Sequence, residues 1–447
     1  MKHKSLLIVS LLFSTWLIAQ ETPTTFTLQE AIDYALIHNR SVKNAVRDIE
    51  AAEKQKWETT ATGLPQINGA VDYQNWIKQQ VSLLPAEIAG GPPGTFQPVT
   101  FSPKQSLTAT ATLNQLLFDG SYIVGLQSAK VYLEISENAK IKTDLEVRNA
   151  VINAYGNVLL AEENLNIVNK NIEVLQKNLY ETTKIYENGL AEEESVEQLQ
   201  ITLTGLENYL NNVKRSKNIA YQLFNITLGI DLNAPISLID SLEILTLQNI
   251  SLELLEADEN IENSIDFQIA KNQEVSKELL LKLEKSTFLP RLSAFINGGY
   301  SGYSETFTFA NNNQEYYGSS LFGVNMSIPI FSSGMRSAAT QRAQIDLEIA
   351  QEELTETEQQ LKFQISAAKS DYQFAIEEYQ NKQQNLNLAE RIEQKNQTKF
   401  FEGIASSFDL RQAQTQLYTA QQEYLQSMFN VITKKSELET VLNTLNY

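Results

Sequence analysis

The chain repeats itself at one fixed offset, and a repeat of that length restricts the fold to two copies of one supersecondary unit. Tyr186, Glu187, Asn188, Gly189, Leu190 and Ala191 correspond to Phe400, Phe401, Glu402, Gly403, Ile404 and Ala405, 214 positions further on. The same offset relates Gly120 to Gly334, Gln198 to Gln412 and Leu203 to Leu417. Leu64 and Pro65 match Leu289 and Pro290 at an offset of 225, so the first copy carries eleven extra residues. They fall where Pro85, Gly90, Gly91, Pro92, Pro93 and Gly94 mark a loop.

No proline occurs between Pro103 and Pro235 or after Pro329, which leaves two long stretches free of the strongest helix breaker. In the first, Val151, Ala154, Val158, Ala161, Leu165, Val168, Ile172, Leu175 and Leu179 alternate spacings of three and four, a seven-residue repeat that packs a helix against supercoiled neighbours. The second copy keeps the seam through Ile365, Ala368, Tyr372, Ala375, Tyr379, Leu386 and Ala389, with Lys382 as the exception. Ser121 to Asn188 and Met335 to Glu402 each span 68 residues, about 100 Å if helical throughout. After each glycine tip a second seam returns: Val196, Leu199, Leu203, Leu206, Leu210 and Val213, then Leu410, Ala413, Leu417, Ala420 and Tyr424. Each copy therefore contains a long antiparallel helical hairpin. A soluble coiled-coil rod accounts for the hairpins equally well.

The segments before each long helix separate the two readings. Ile67, Gly69, Val71 and Tyr73 alternate with polar residues, as do Leu107, Ala109, Ala111 and Leu113. In the second copy Leu292, Ala294, Ile296 and Tyr300 alternate likewise, as do Phe322, Val324, Met326, Ile328 and Ile330. Strands of roughly ten residues with one apolar face have the length and pattern of membrane-barrel strands, and Tyr300, Tyr303, Phe307, Phe309, Tyr316 and Tyr317 gather at one end as an interfacial girdle does. A sandwich sheet has the same alternation. Four strands cannot close a barrel, and open edges in lipid strand backbone groups without partners, so closure requires other subunits.

The first twenty residues, with Lys2 and Lys4 ahead of an interrupted apolar run from Ser5 to Ile18, read as a secretory signal peptide, the alternative being a single membrane anchor. The formal net charge of −19 becomes −21 once those two lysines leave, which argues against nucleic acid as a partner. The absence of cysteine excludes disulfides, thiolate metal sites and cysteine nucleophiles. No later apolar run reaches the eighteen residues of a spanning helix. His3 lies in the signal segment and His38 stands alone on a helix as a structural residue; with no phosphate loop and no metal-ligand spacing, the sequence supports neither an enzyme nor a cofactor.

The succession of strand pair, long helix, glycine tip and return helix covers essentially everything after residue 20 and resembles the outer membrane efflux protein (TolC) family. Leu28, Ala31, Ala35, Leu36 and Asn39 are similar to the family's first helix, and Gly189-Leu190 and Gly403-Ile404 to its periplasmic tip motifs. The resemblance implies a mainly α protein with a membrane β-barrel: a homotrimer whose protomers each give four strands to one twelve-stranded barrel set on a helical tunnel. It also implies passive export across the outer membrane, in contact with outer-membrane lipid. A periplasmic adaptor would join the channel to an inner-membrane pump of RND, ABC or MFS type. The competing reading is a periplasmic coiled-coil adaptor or structural protein. The expected organisation is a signal peptide at 1–20 and an N-terminal helical segment at 21–63. Strand pair 1 at 64–119, with an extracellular loop at 79–103, leads into hairpin 1 at 120–229 and a linker at 230–260. Repeat 2 has its first helix at 261–288, strand pair 2 at 289–332 with a loop at 303–316, and hairpin 2 with the C-terminal segment at 333–447.

In the family, acidic residues shortly after the tip glycines line a periplasmic constriction. Asp409, six residues past Gly403, matches; Ser195, six past Gly189, does not, and Gln412 lies beside Asp409's level. The resemblance thus implies a ring of three carboxylates, whose crowding would raise their pKa and attract cations. Asp409 also fits a helix N-terminal residue, and the two roles are compatible. Glu192, Glu193 and Glu194 read as a solvated first turn. Gly189 and Gly403 read as left-handed C-caps, and by resemblance Leu190 and Ile404 beside them meet the adaptor.

Overall fold

The computed structural model describes residues 25–257 and 260–443, so the segment read as a signal peptide lies outside the described residues. In chain order the elements are β1 (Thr25–Phe26), α1 (Leu28–His38), α2 (Arg40–Ala61), β2 (Gln66–Asn75), β3 (Ser82–Pro85), β4 (Phe96–Val99), β5 (Gln105–Phe118), α3 (Gly120–Glu187) and α4 (Glu193–Leu228). Then follow β6 (Ser237–Leu238), α5 (Leu242–Gln248), α6 (Ile265–Ser286), β7 (Arg291–Ser304), β8 (Tyr316–Ser327), α7 (Met335–Phe401) and α8 (Ser407–Leu442). Short 3-10 turns occupy Ala86–Ala89, Leu252–Glu256 and Ile261–Asn263. No described helix is long and apolar enough to cross a membrane.

The chain divides into two units, and the continuous helices α3 and α7 contribute to both. One unit, of residues 49–136 and 271–353, holds an antiparallel sheet in the order β2-β5-β7-β8. Its middle pair, β5 with β7, joins the two sequence copies. Register places Ile67, Leu113, Ile296 and Phe322 in one row, and Tyr73, Leu107, Gly302 and Tyr316 in another. These rows form the apolar face, and it is solvent-exposed: Ile67 and Val71 are each 72% accessible and Phe322 67%. The opposite face carries the row Asn68, Thr112, Asn297, Leu321 and the row Asp72, Thr108, Ser301, Tyr317. Side chains bond along it, Asn297 Nδ2 donating to Thr112 Oγ1 at 2.6 Å and the Thr108 and Ser301 hydroxyls lying 3.1 Å apart. The outer edges of β2 and β8 have no partner strand among the described residues.

Two details differ from the sequence reading. Ile328 and Ile330 continue the alternation on paper but lie beyond the end of β8, because Pro329 between them has no N–H to give a ladder. The segment 79–103 is a structured insert, with β3 paired antiparallel to β4 around the 3-10 turn.

The other unit comprises the described residues up to Asp48, 137–270 and from 354 on. Its core packs Tyr155, Val158, Phe224, Leu228, Tyr372, Val431 and Leu438, all essentially inaccessible, around the short parallel pair β1–β6. The linker thus carries its own elements, and Asp240 anchors them: its Oδ2 accepts from Leu28 N–H at 2.8 Å and from the Tyr155 hydroxyl at 2.7 Å. A buried phenol facing a carboxylate is hard to ionise, and burial first and Asp240 second raise the Tyr155 pKa. The N-terminal helical segment breaks at Asn39, whose Nδ2 donates to the Thr227 carbonyl at 2.7 Å. His38 stacks on Tyr34 with ring centroids 4.0 Å apart and donates from Nδ1 to the Tyr34 carbonyl, 3.0 Å away.

Within the first hairpin, Val168, Ile172 and Leu175 of α3 bury against Leu199, Leu203 and Val213 of α4; truncating one such side chain to alanine typically costs about 2 to 5 kcal/mol. In the second hairpin Tyr379 and Tyr424 stack, and Lys382, the polar intruder in the seam, reaches Glu423 at 3.0 Å. Hydrogen bonds tie the hairpins side by side: Asn171 to Gln421 at 2.8 Å and Gln422 to the Tyr209 hydroxyl at 2.9 Å.

Candidate functional site

Both hairpins reverse through the same backbone motif. Gly189 has φ 77° and Gly403 φ 75°, values that an L side chain adopts only with strain. Leu190 N–H donates to the Ile185 carbonyl at 3.0 Å and Ile404 N–H to the Lys399 carbonyl at 2.8 Å. The bond back across five residues satisfies a helix-end carbonyl in the manner of a Schellman motif. The turn leaves the next side chain in water, with Leu190 80% and Ile404 72% accessible. Two large apolar groups at the ends of two parallel reversals make a pair of exposed knobs.

The helix starts that follow differ. Ser406 and Asp409 form a complete capping box: Asp409 N–H donates to Ser406 Oγ at 3.2 Å and Ser406 N–H to Asp409 Oδ2 at 3.0 Å. The Ser406 hydroxyl also donates to Asp409 Oδ2 at 2.6 Å. These bonds, the side-chain one foremost, hold the Asp409 carboxyl below the usual carboxylate range. The serine stabilises the anion, and the nearby Lys399 charge adds a smaller contribution in the same direction. At the first tip the order is inverted. Glu192 is the N-cap without a side-chain bond, and Ser195, half-buried, donates its N–H to the Glu192 carbonyl at 3.1 Å. Glu193 and Glu194 lie in the first turn, where a helix N-terminus favours negative charge. Gln412 is exposed one turn beyond Asp409, and Arg411 sits over the Phe408 ring at 5.3 Å.

Behind the tips lies a buried polar layer that the apolar seams did not reveal. Asn178, Thr182 and Gln414 are each at most 1% accessible. Gln397 Nε2 donates to Asn178 Oδ1 at 2.8 Å, yet Asn178 Nδ2, Thr182 Oγ1 and both amide atoms of Gln414 lack well-formed hydrogen bonds. Burial raises the pKa of Glu393, an effect the adjacent Gln414 amide partly offsets. Burial, with the Glu393 charge second, pushes the Tyr418 phenol up to about 12. Part of the signal is present in the sequence, since the seam position after Leu179 is Thr182, a polar residue. An interface of amides and hydroxyls with unmet bonds holds its helices less firmly than the apolar seam above it.

Comparison with known proteins agrees with this architecture. The family model described as "Outer membrane efflux protein" matches residues 31–226 and 257–444. The outer membrane protein TolC of Vibrio cholerae is 23% identical over 360 residues, covering 77% of this chain and 79% of that protein. TolC of Escherichia coli is 21% identical over 429 residues, covering 94% and 82% respectively. A crystal structure of CusC superposes with a TM-score of 0.74 at 18% identity, covering 93% of this chain and 91% of that one.

Proposed function

The chain belongs to the outer membrane efflux protein family, and from that premise we propose that it is the passive outer-membrane duct of a tripartite efflux or type I secretion assembly. It resides in the outer membrane and extends into the periplasm. The observation that carries the reading is the four-stranded sheet, with an exposed apolar face, a hydrogen-bonded polar face and two open edges. Backbone edges left open in lipid cost several kcal/mol per group, so three copies close a twelve-stranded barrel with the apolar face to lipid and the polar face to water. The exposed knobs Leu190 and Ile404 meet a periplasmic adaptor, which passes cargo from an inner-membrane pump of RND, ABC or MFS type. Asp409, with Ser195 and Gln412 near it, lines the periplasmic constriction. A periplasmic adaptor would also use long hairpins, but it has no need of the open sheet, and recovery in the soluble periplasmic fraction alone would favour it.

In mild detergent the protein is expected to run as a trimer. Ala111→Arg or Val324→Arg should deplete that trimer, since a charge on a lipid face costs about 2 to 4 kcal/mol at the bilayer midplane, whereas Thr110→Arg, on the opposite face, should assemble nearly normally. A monodisperse monomer with intact β-structure, or equal damage from both faces, would defeat the reading.

A further inference from the structure

The four strands β2, β5, β7 and β8 contain two charged side chains, Asp72 and Arg291. Strand parity and register put both on the polar face, Asp72 in the row with Thr108, Ser301 and Tyr317, Arg291 opposite Ser327. Arg291 is already engaged: its Nε lies 3.3 Å from Asp119 Oδ2. Asp72 is exposed and forms no ion pair among the described residues, and its row-mates are two hydroxyls and a phenol. By register the next cation along its side of the sheet is Lys104, beyond the end of β5 and opposite Trp76. The other side chains of this face are uncharged, serine, threonine, asparagine and glutamine interspersed with a few apolar and aromatic residues such as Phe295 and Leu321.

Resting on the duct reading above, we infer that Asp72 sets the charge selectivity of the strand-walled section, favouring cationic and neutral cargo over anions. Barrel closure by three copies puts on one aqueous wall three carboxylates without an ion-pair partner among the described residues, where the strands' other charge, Arg291, is already paired with Asp119 and Lys104 stands beyond the end of β5. A low-dielectric barrel focuses their field, so cations accumulate at that level and anions are held back. This selectivity is separate from any at the hairpin tips, because it depends on a residue of β2.

The test is the reversal potential of single channels in a planar bilayer under a potassium chloride gradient. Three proteins are compared, each carrying Asp409→Ala so that the tip carboxylates do not contribute: Asp72 unchanged, Asp72→Asn and Asp72→Lys. The cation-to-anion permeability ratio is expected to fall several-fold with Asn and to invert toward anions with Lys. Asn is close in shape to Asp and makes the test independent of whether Lys assembles. Channels of ordinary conductance with the same ratio in the Asp and Asn proteins would overturn the role of Asp72 and leave the duct standing. Failure of the wild-type chain to form channels at all would overturn the duct itself.

Discussion

At the first tip the chain reverses at Gly189 and restarts a helix behind Glu192; at the second it reverses at Gly403 and restarts behind Ser406. The reversals share their φ values and their five-residue hydrogen bond, and each exposes one large apolar side chain. The helix starts exchange their chemistry, Glu-x-x-Ser against Ser-x-x-Asp. A glycine with positive φ dictates the turn, while the cap that follows is local and can vary. The same fold thus offers two equivalent knobs but only one capped carboxylate at the level of Asp409.

The largest effects come from breaking the shared part. An added Cβ at Gly189 or Gly403 meets nothing within 4 Å, so alanine there suffers only the left-handed backbone penalty, about 1 to 2 kcal/mol. Gly229, the cap of α4 at φ 82°, differs in that its Cβ would come 2.5 Å from the His38 carbonyl oxygen. Thermal unfolding should rank Gly229→Ala as more damaging than Gly189→Ala or Gly403→Ala, with the last two alike. Unequal tips would mean that their likeness is only geometric.

Next in size is the charge that separates the tips. In the proposed trimer, Asp409→Ala should weaken block by multivalent cations added on the periplasmic side, and Ser195→Asp should strengthen it by doubling the carboxylates at that level. Single-channel recording decides between outcomes: block unaltered by both substitutions would leave Asp409 as a helix cap alone.

The alternation of apolar and polar residues told which face of each strand is which, and the seven-residue seam named positions such as Val151, Val158 and Leu175 that the structure buries completely. Periodicity is a one-dimensional signal, however, and says nothing of partners: that β5 pairs with β7, across the two copies, is set by register in space. Isolated polar contacts were also invisible. Nothing in the spacing of Asn39 or Asp240 announces that one breaks a helix to hold Thr227 and the other ties β1 to the linker. Alternation alone carries β8 through Ile328 and Ile330, whereas Pro329 between them ends the ladder at Ser327. At the tips, Asp409 was legible as a helix N-terminal residue while its reciprocal bonds with Ser406 were not, and the buried Asn178 and Gln414 stand beside the apolar seam positions rather than on them.

A smaller effect isolates the cap itself. Ser406→Ala should cost about 1 kcal/mol, the usual value of an N-cap hydroxyl, and should speed amide exchange in the first turn of α8. Glu192→Ser combined with Ser195→Asp transplants the box to α4 and should slow exchange in its first turn. If the transplant leaves α4 unchanged, the capping bonds seen at Ser406 depend on more than the four-residue pattern.

The smallest effect is on pH dependence, where Asp409 and Glu393 act with opposite signs. Hydrogen bonds from Ser406 depress the folded pKa of Asp409 below its ordinary 3.8. Its contribution is therefore complete above 3.8 and disappears only as pH falls through the lowered folded value. Burial raises the folded pKa of Glu393 above its ordinary 4.5, so its folded state favours the neutral acid. That contribution is complete below 4.5 and is lost as pH rises through the raised folded value. Acidifying from neutrality toward pH 4.5 should thus firm the packing of α7 on α8 at Glu393 while the cap at Asp409 stays charged and intact. Melting midpoints measured across this range for the wild type and Glu393→Gln test the point, since the amide keeps the shape and removes the titration. The wild-type midpoint should gain on that of Glu393→Gln as pH falls from 7 toward 4.5, whereas its lead over Asp409→Asn should stay constant down to 3.8 and shrink only below it. If the wild type and Glu393→Gln run parallel from pH 7 to 4.5, burial of Glu393 in the polar layer behind the tips carries no pH-dependent stability.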